Sequence, residues 1–239
     1  MEAAGNTCCG FDVKRGSEFD LTNPSVLKVI LNWITSKRVV AVTLATPCSS
    51  FSRARRAPSW SKMPRKLRDE DRPLGIQGLS PADAAVAKLG NTLSRRSAAI
   101  ITACIDNKVP GCEENPKNSF LWLVHGRVAR ERLPSVHACY FDQCSFGALC
   151  RKSTRIDFWH ATPPASFSSR CHGQKECSFT GSRHLRLTGL SDGTFVTAKA
   201  ATYPVKLANA LAKTLAEASV AREVHTVWKD ISGMSGSRV

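Results

Sequence analysis

Two short segments set reactive side chains beside turn-forming residues: Pro47-Cys48-Ser49-Ser50-Phe51-Ser52 and Glu114-Asn115-Pro116. A cysteine thiolate is strongly nucleophilic and also leaves readily, which suits reversible covalent addition to an electron-poor centre. A carboxylic acid nearby can share a proton as charge develops. Taken singly, a Glu-Asn-Pro segment is also an ordinary turn. Cysteine-dependent hydrolysis would need a partner base, and none of the six histidines stands in a pattern that marks it as one. Cys171, His172, Cys177 and His184 gather metal-ligating types. The spacing between the two cysteines fits no common zinc finger, so the sequence reading assigns no metal and expects a metal-free segment there.

Secondary structure has to hold these residues in place. The run Val39-Val40-Ala41-Val42-Thr43-Leu44 reads as a fully buried parallel strand that stops at Pro47. Val109 to Glu113 reads as a second strand, with Glu114 at its end, and Val136 to Phe141 and Thr154 to Trp159 as two more. Pro24 to Ser36 carries Val26, Val29, Ile30 and Trp33 at helical steps. Ser80-Pro81-Ala82-Asp83 starts a helix that runs to about Asn107. Asn118 to Arg130 and Pro204 to Val224 are further helices, the last with Leu207, Leu211, Leu215 and Ala218 on one stripe. Strands alternating with helices predict an α/β parallel sheet flanked by helices. In such sheets functional groups gather at the carboxyl ends of strands, where Cys48 and Glu114 fall. Residues 161–200 form a small, irregular basic insertion, and residues 226–239 a flexible tail.

The charge balance narrows the partners. In 239 residues, 34 Lys and Arg face 19 Asp and Glu, a formal net charge of +15 that points to nucleic acid. The loop from Arg53 to Arg72 concentrates this charge in Arg53, Arg55, Arg56, Lys62, Arg65, Lys66, Arg68 and Arg72. Side chains of this kind meet phosphates. Ten cysteines are too sparse for a small disulfide scaffold. The N-terminus lacks a signal-peptide pattern and no apolar run approaches the ~20 residues of a membrane span. The expectation is reduced thiols in a nuclear or cytoplasmic protein, with no membrane partner.

In this order and spacing, the motifs resemble the DNA cytosine-C5 methyltransferase family over roughly residues 11 to 215. Pro47 to Ser52 is similar to the family's Pro-Cys-x-x-Phe-Ser nucleophile loop, and Glu114-Asn115-Pro116 to its Glu-Asn-Val. Phe146-Gly147 followed by Arg151-Lys152-Ser153-Thr154-Arg155 resembles Phe-Gly-x-Pro-Gln-x-Arg-x-Arg, one residue longer and without Pro-Gln. Asp20-Leu21-Thr22 resembles the Asp-Ile-Thr at the cofactor's adenine, and Leu207-Ala208-Asn209-Ala210 loosely resembles the last motif.

The resemblance implies a Rossmann-like, class I methyltransferase-type fold and methyl transfer from S-adenosyl-L-methionine to a cytosine flipped out of duplex DNA. It makes Cys48, Glu114 and Arg155 catalytic: the thiolate adds to carbon 6, the acid sits near ring nitrogen 3, and the Arg orients the base. It assigns Asp12, Asp20 and Asn209 to the cofactor, and Ser52, Arg53, Arg55, Arg56, Arg65, Arg151 and Lys152 to DNA. Residues 1–160 become the catalytic domain, 161–200 a target-recognition-like segment and 201–225 a helix returning to that domain. The family's Phe-x-Gly-x-Gly loop has no counterpart here. The reading therefore expects the first strand to be missing, activity to be impaired, and an upstream segment or partner chain to complete the cofactor site. Two rival readings are a non-catalytic relative of the family and a basic nucleic-acid-binding protein with a zinc module.

Overall fold

The computed structural model describes residues 7–55, 64–187, 190–191, 194–195 and 200–220. Helix α1 (Pro24–Thr35) starts where the Asn23 side chain accepts from the Ser25 N–H and Pro24 takes the first turn. Its apolar face buries Val26, Leu27, Ile30, Trp33 and Ile34. Helix α2 (Pro81–Asp106) begins at a Ser80 cap, whose Oγ accepts from the Asp83 N–H. Both starts follow the sequence expectation.

Four strands form one sheet: β1 (Val42–Leu44), β2 (Gly111–Pro116), β3 (Val136–Asp142) and β4 (Ser153–Trp159), in the order β1-β2-β4-β3. Strands β1 and β2 are parallel, joined by the crossover that contains α2. Strand β4 lies between β2 and β3 and is antiparallel to both. The sheet is therefore mixed, which corrects the expectation of a parallel one. The reason is the link from Asp142 to Ser153, too short for a helical crossover and able only to return the chain antiparallel. Strand β1 is also a short edge strand with Thr43 exposed, not the fully buried run its β-branched residues suggest.

Helices cover both faces. Val26 and Ile30 of α1 and Ile100, Ile101 and Cys104 of α2 share a core with Trp159. On the other face, Leu207, Leu211 and Leu215 of helix α4 (Val205–Ser219) pack with Cys112, Phe141, Ile156 and Phe158. Neighbouring residues of β4 thus feed opposite cores, as the pleat requires. The helix expected over 118–130 is instead a 3₁₀ turn (Phe120–Leu123) followed by helix α3 (His125–Arg130). Phe120, Leu121 and Trp122 are all buried. The Ser119 side chain caps the turn by accepting from the Leu121 N–H, and Val124 is extended, so one continuous helix cannot run through. Phe167, from the insertion, stacks edge-on against Phe141 and Phe158. Among the described residues no helix is long and apolar enough to cross a membrane. The end expected for α4 at Val224 lies outside the described residues.

Candidate active site

The Cys48 loop is gripped from three sides. Asn115 Nδ2 donates to the Thr46 carbonyl at 2.6 Å, so the residue beside Glu114 ties the end of β2 to the start of the loop. Arg68, itself buried, donates from Nε to the Ser50 carbonyl and from Nη2 to Ser50 Oγ, with further bonds to Pro73, Ala87 and Asn91. Phe51 is fully buried against Phe120 and Leu121, and its carbonyl accepts from the Phe120 N–H. Ser50 lies so close to α2 that a Cβ at Gly90 would come within 2.1 Å of Ser50 Oγ. A mid-helix glycine costs ~1 kcal/mol relative to alanine; here it lets the loop seat on the helix.

Glu114 is 5% exposed and shares a face of β2 with Cys112. Tyr203, from the residues leading into α4, donates its hydroxyl to Glu114 Oε2 at 2.9 Å. Burial and the adjacent carboxylate hold the Tyr203 phenol well above its ordinary range, so it remains a donor. Lys152 Nζ lies 3.6 Å from Glu114 Oε1, an oxygen that accepts no hydrogen bond. Cys48 is in electrostatic reach of both. Burial raises its thiol above the ordinary cysteine range, the Lys152 charge pulls it down and the Glu114 charge pushes it up. Cys48, Glu114, Lys152 and Tyr203 form one site.

This arrangement predicts a slow thiol. In the free protein, alkylation of Cys48 by iodoacetamide, read by peptide mass spectrometry, should rise about tenfold per pH unit with no plateau below pH ~9, since thiolate is the reacting form. Lys152→Ala removes the charge that favours the thiolate and should slow alkylation further. A plateau near neutral pH, or an unchanged rate in the Lys152 variant, would contradict this electrostatic account.

Other expected site residues fall elsewhere. Arg155 pairs in register with Asn115, not Glu114, so its side chain leaves the opposite face of the sheet. There it binds Asp157 through Nε and Nη2 at 2.6 and 2.9 Å, meets Glu131 at 3.2 Å and lies over the Trp122 ring. It is a structural cation, and Lys152 is the basic residue that reaches Glu114. Asp12 caps a 3₁₀ turn by accepting from the Lys14 N–H, and Asp20 accepts from the Thr22 N–H and hydroxyl. Asn209 is exposed on α4, which covers the face opposite α1. These three residues do not converge, and as a set they do not fit S-adenosyl-L-methionine.

The basic loop is largely engaged with the protein itself. Arg53 donates to the Asn118 carbonyl, pairs with Glu70 and lies over Phe120. Arg55 Nε donates to the Arg65 carbonyl, Arg65 Nε lies 3.6 Å from Asp83, and Arg72 pairs with Asp69. Arg151 Nε is 3.2 Å from Asp142, and Ser52 Oγ caps the Ala54 N–H. Arg56 lies outside the described residues. Tyr203-Pro204 belongs to the stretch that loosely resembles the family's last motif, at the cofactor pocket; the structure instead sets Tyr203 on Glu114, a contact that no local signal marks.

No protein-family model, no curated protein and no solved structure matches this chain.

Proposed function

We propose that this chain acts on DNA as a cytosine-C5 methyltransferase-type protein, with Cys48 as the nucleophile and Glu114 as the acid. The observation that carries the reading is the buried Glu114 Oε1, left without a hydrogen bond beside the held Cys48 loop. A buried carboxylate oxygen in that state costs free energy until a ligand fills it. The ring of a flipped cytosine would do so with its N3 and N4 edge.

In the step that follows, the Cys48 thiol passes its proton to the Glu114 carboxylate, Cys48 Sγ forms a bond to carbon 6 and the C5–C6 double bond opens. The electron pair moves through carbon 4 to N3, where the Glu114 carboxyl supplies the proton. Carbon 5 is then nucleophilic. Tyr203 holds the carboxyl by Oε2 and leaves Oε1 to the base, while Lys152 offsets negative charge at the thiolate. Methyl transfer in this reading uses S-adenosyl-L-methionine as donor. Addition to carbon 6 and its reversal need only Cys48, Glu114, Lys152 and Tyr203. The net charge of +15 supports a nucleic-acid partner without locating its path.

Addition can be measured without any methyl donor, because a cytosine activated at carbon 5 exchanges its C5 hydrogen with solvent. The chain should release tritium from DNA carrying [5-³H]cytosine. Glu114→Gln should lower the release about 10²–10⁴-fold, the range for a lost general acid, with DNA affinity nearly unchanged. Absence of release from the unaltered chain would favour the non-catalytic reading, to which the raised Cys48 thiol also points.

A further inference from the structure

We propose that Cys144, Cys171, Cys177 and His184 form a closed, four-ligand structural zinc site that folds the 161–187 segment and fastens it to the sheet. Their ligand atoms all lie within 4.8 Å of one another. The Cys171 and Cys177 sulfurs are 4.0 Å apart, and Cys171 Sγ is 3.7 Å from His184 Nε2. A tetrahedral zinc with bonds of about 2.3 Å to sulfur and about 2.0 Å to nitrogen places its ligand atoms roughly 3.5–3.8 Å apart. Small adjustments would therefore seat the ion.

The fourth ligand is the one that spacing conceals. Cys144 sits in the 3₁₀ turn Gln143–Phe146, on the link between β3 and β4. His172, which adjoins Cys171 in sequence, is exposed and uses its backbone N–H on Ser178 Oγ instead. All three cysteines are at most 3% exposed, and they form a buried cluster with no aliphatic or aromatic member. Within 161–187 the other buried apolar residues are Ala161 and Phe167, whereas Phe179 and Leu185 are exposed. A segment so poor in core gains its order from a crosslink or a metal.

The local backbone is built around these side chains. A Cβ at Gly173 would fall 1.7 Å from the Glu176 carbonyl oxygen, so the turn between Cys171 and Cys177 closes only with glycine there. Cys177 accepts from Gly181, whose φ is +67°, and donates to Ser182, which brings His184 back. The Ser178 N–H and hydroxyl both donate to Cys171 Sγ, at 3.4 and 3.5 Å, as donors around a thiolate ligand do. Both ends of the Cys171 to Leu185 stretch are tied to the β3–β4 link: Cys171 N–H donates to Asp142, and Leu185 N–H to the Leu149 carbonyl. Three thiolates and one imidazole are a zinc donor set, not one for calcium or magnesium. Four protein ligands leave no open position for catalysis. Binding releases the three thiol protons and requires no oxidant. The same link ends at Lys152, whose carbonyl accepts from the Gln143 N–H, so the metal also steadies the strand that brings Lys152 to Glu114.

The test is metal content of the full chain, expressed with zinc in the medium and purified without chelator. One zinc per chain is expected by mass spectrometry of the elements. Cobalt exchanged for it should give the visible bands of a tetrahedral thiolate site. Cys144→Ser should lose the metal, and His172→Ala and Cys150→Ser should keep it. If Cys144→Ser does not fold, the thiolate-to-cobalt absorption of the unaltered chain, sized for three sulfurs, decides in its place. Zinc far below one per chain, full content in Cys144→Ser, or a Cys171–Cys177 disulfide in freshly purified protein would overturn the proposal. None of these readouts depends on methyl transfer or DNA.

Discussion

Cys48→Ser should bring C5-hydrogen exchange on cytosine-containing DNA down to the rate seen without protein. A serine hydroxyl is scarcely ionised near neutral pH and cannot supply the anion that adds to carbon 6. Loss of the thiol should not unfold the chain. The loop is held by Asn115 on the Thr46 carbonyl, by Arg68 on Ser50 and by buried Phe51, none of which uses the sulfur. Cys112 is a second thiol in the field of Glu114. Complete burial pushes that thiol up to about 12, and its sulfur is engaged with Thr43 Oγ1. It cannot substitute for Cys48, so Cys112→Ala should retain exchange wherever it folds. Exchange that persists in Cys48→Ser would show that the nucleophile has been misassigned.

Arg127→Ala is expected to destabilise the fold by about 3–5 kcal/mol, the usual cost of removing one partner from a buried ion pair. Arg127 and Glu113 are each 2% exposed in their side chains. Two bonds join them, Nε to Oε2 at 2.9 Å and Nη2 to Oε1 at 2.6 Å, and Arg127 also donates to Ser94 Oγ. Glu113 would be left buried with the Thr46 hydroxyl, which donates to its Oε1, and with Arg130 as the remaining cation in its field. For a chain of this size the midpoint of thermal unfolding should fall by roughly 6–20 °C. The double variant Glu113→Gln with Arg127→Met removes both charges and should regain much of the loss. Urea titration measures both, and a cost below ~1 kcal/mol for Arg127→Ala would contradict the assignment. Because Thr46 precedes Pro47-Cys48, the same variant should also loosen the nucleophile loop.

Glu113 and Glu114 show where sequence reading succeeds and where it stops. Neighbours on a strand face opposite ways. One therefore enters the α2 side as the partner of Arg127, and the other enters the α4 side as the partner of Tyr203. The motif marked the second as chemical, but nothing local distinguishes a catalytic carboxylate from a structural one beside it.

Features set by short-range forces can be read directly from the chain. The α1 and α2 starts follow from Asn23-Pro24 and Ser80-Pro81, because a cap and a fixed proline φ act within one turn. The apolar stripe of α4 was equally legible, because periodicity reaches only a few residues, whereas Glu114, expected just past a strand ending at Glu113, lies inside β2 and pairs with Ile156. The tertiary structure alone decided that β4 runs antiparallel between β2 and β3, and that its register turns Arg155 away from Glu114. It also brought Lys152 and Tyr203 to the carboxylate, and Cys144 to Cys171, Cys177 and His184. Each of these depends on which strands pair and in what register. Pairing is set by the burial of whole faces, and a one-residue slip would exchange every side chain between them.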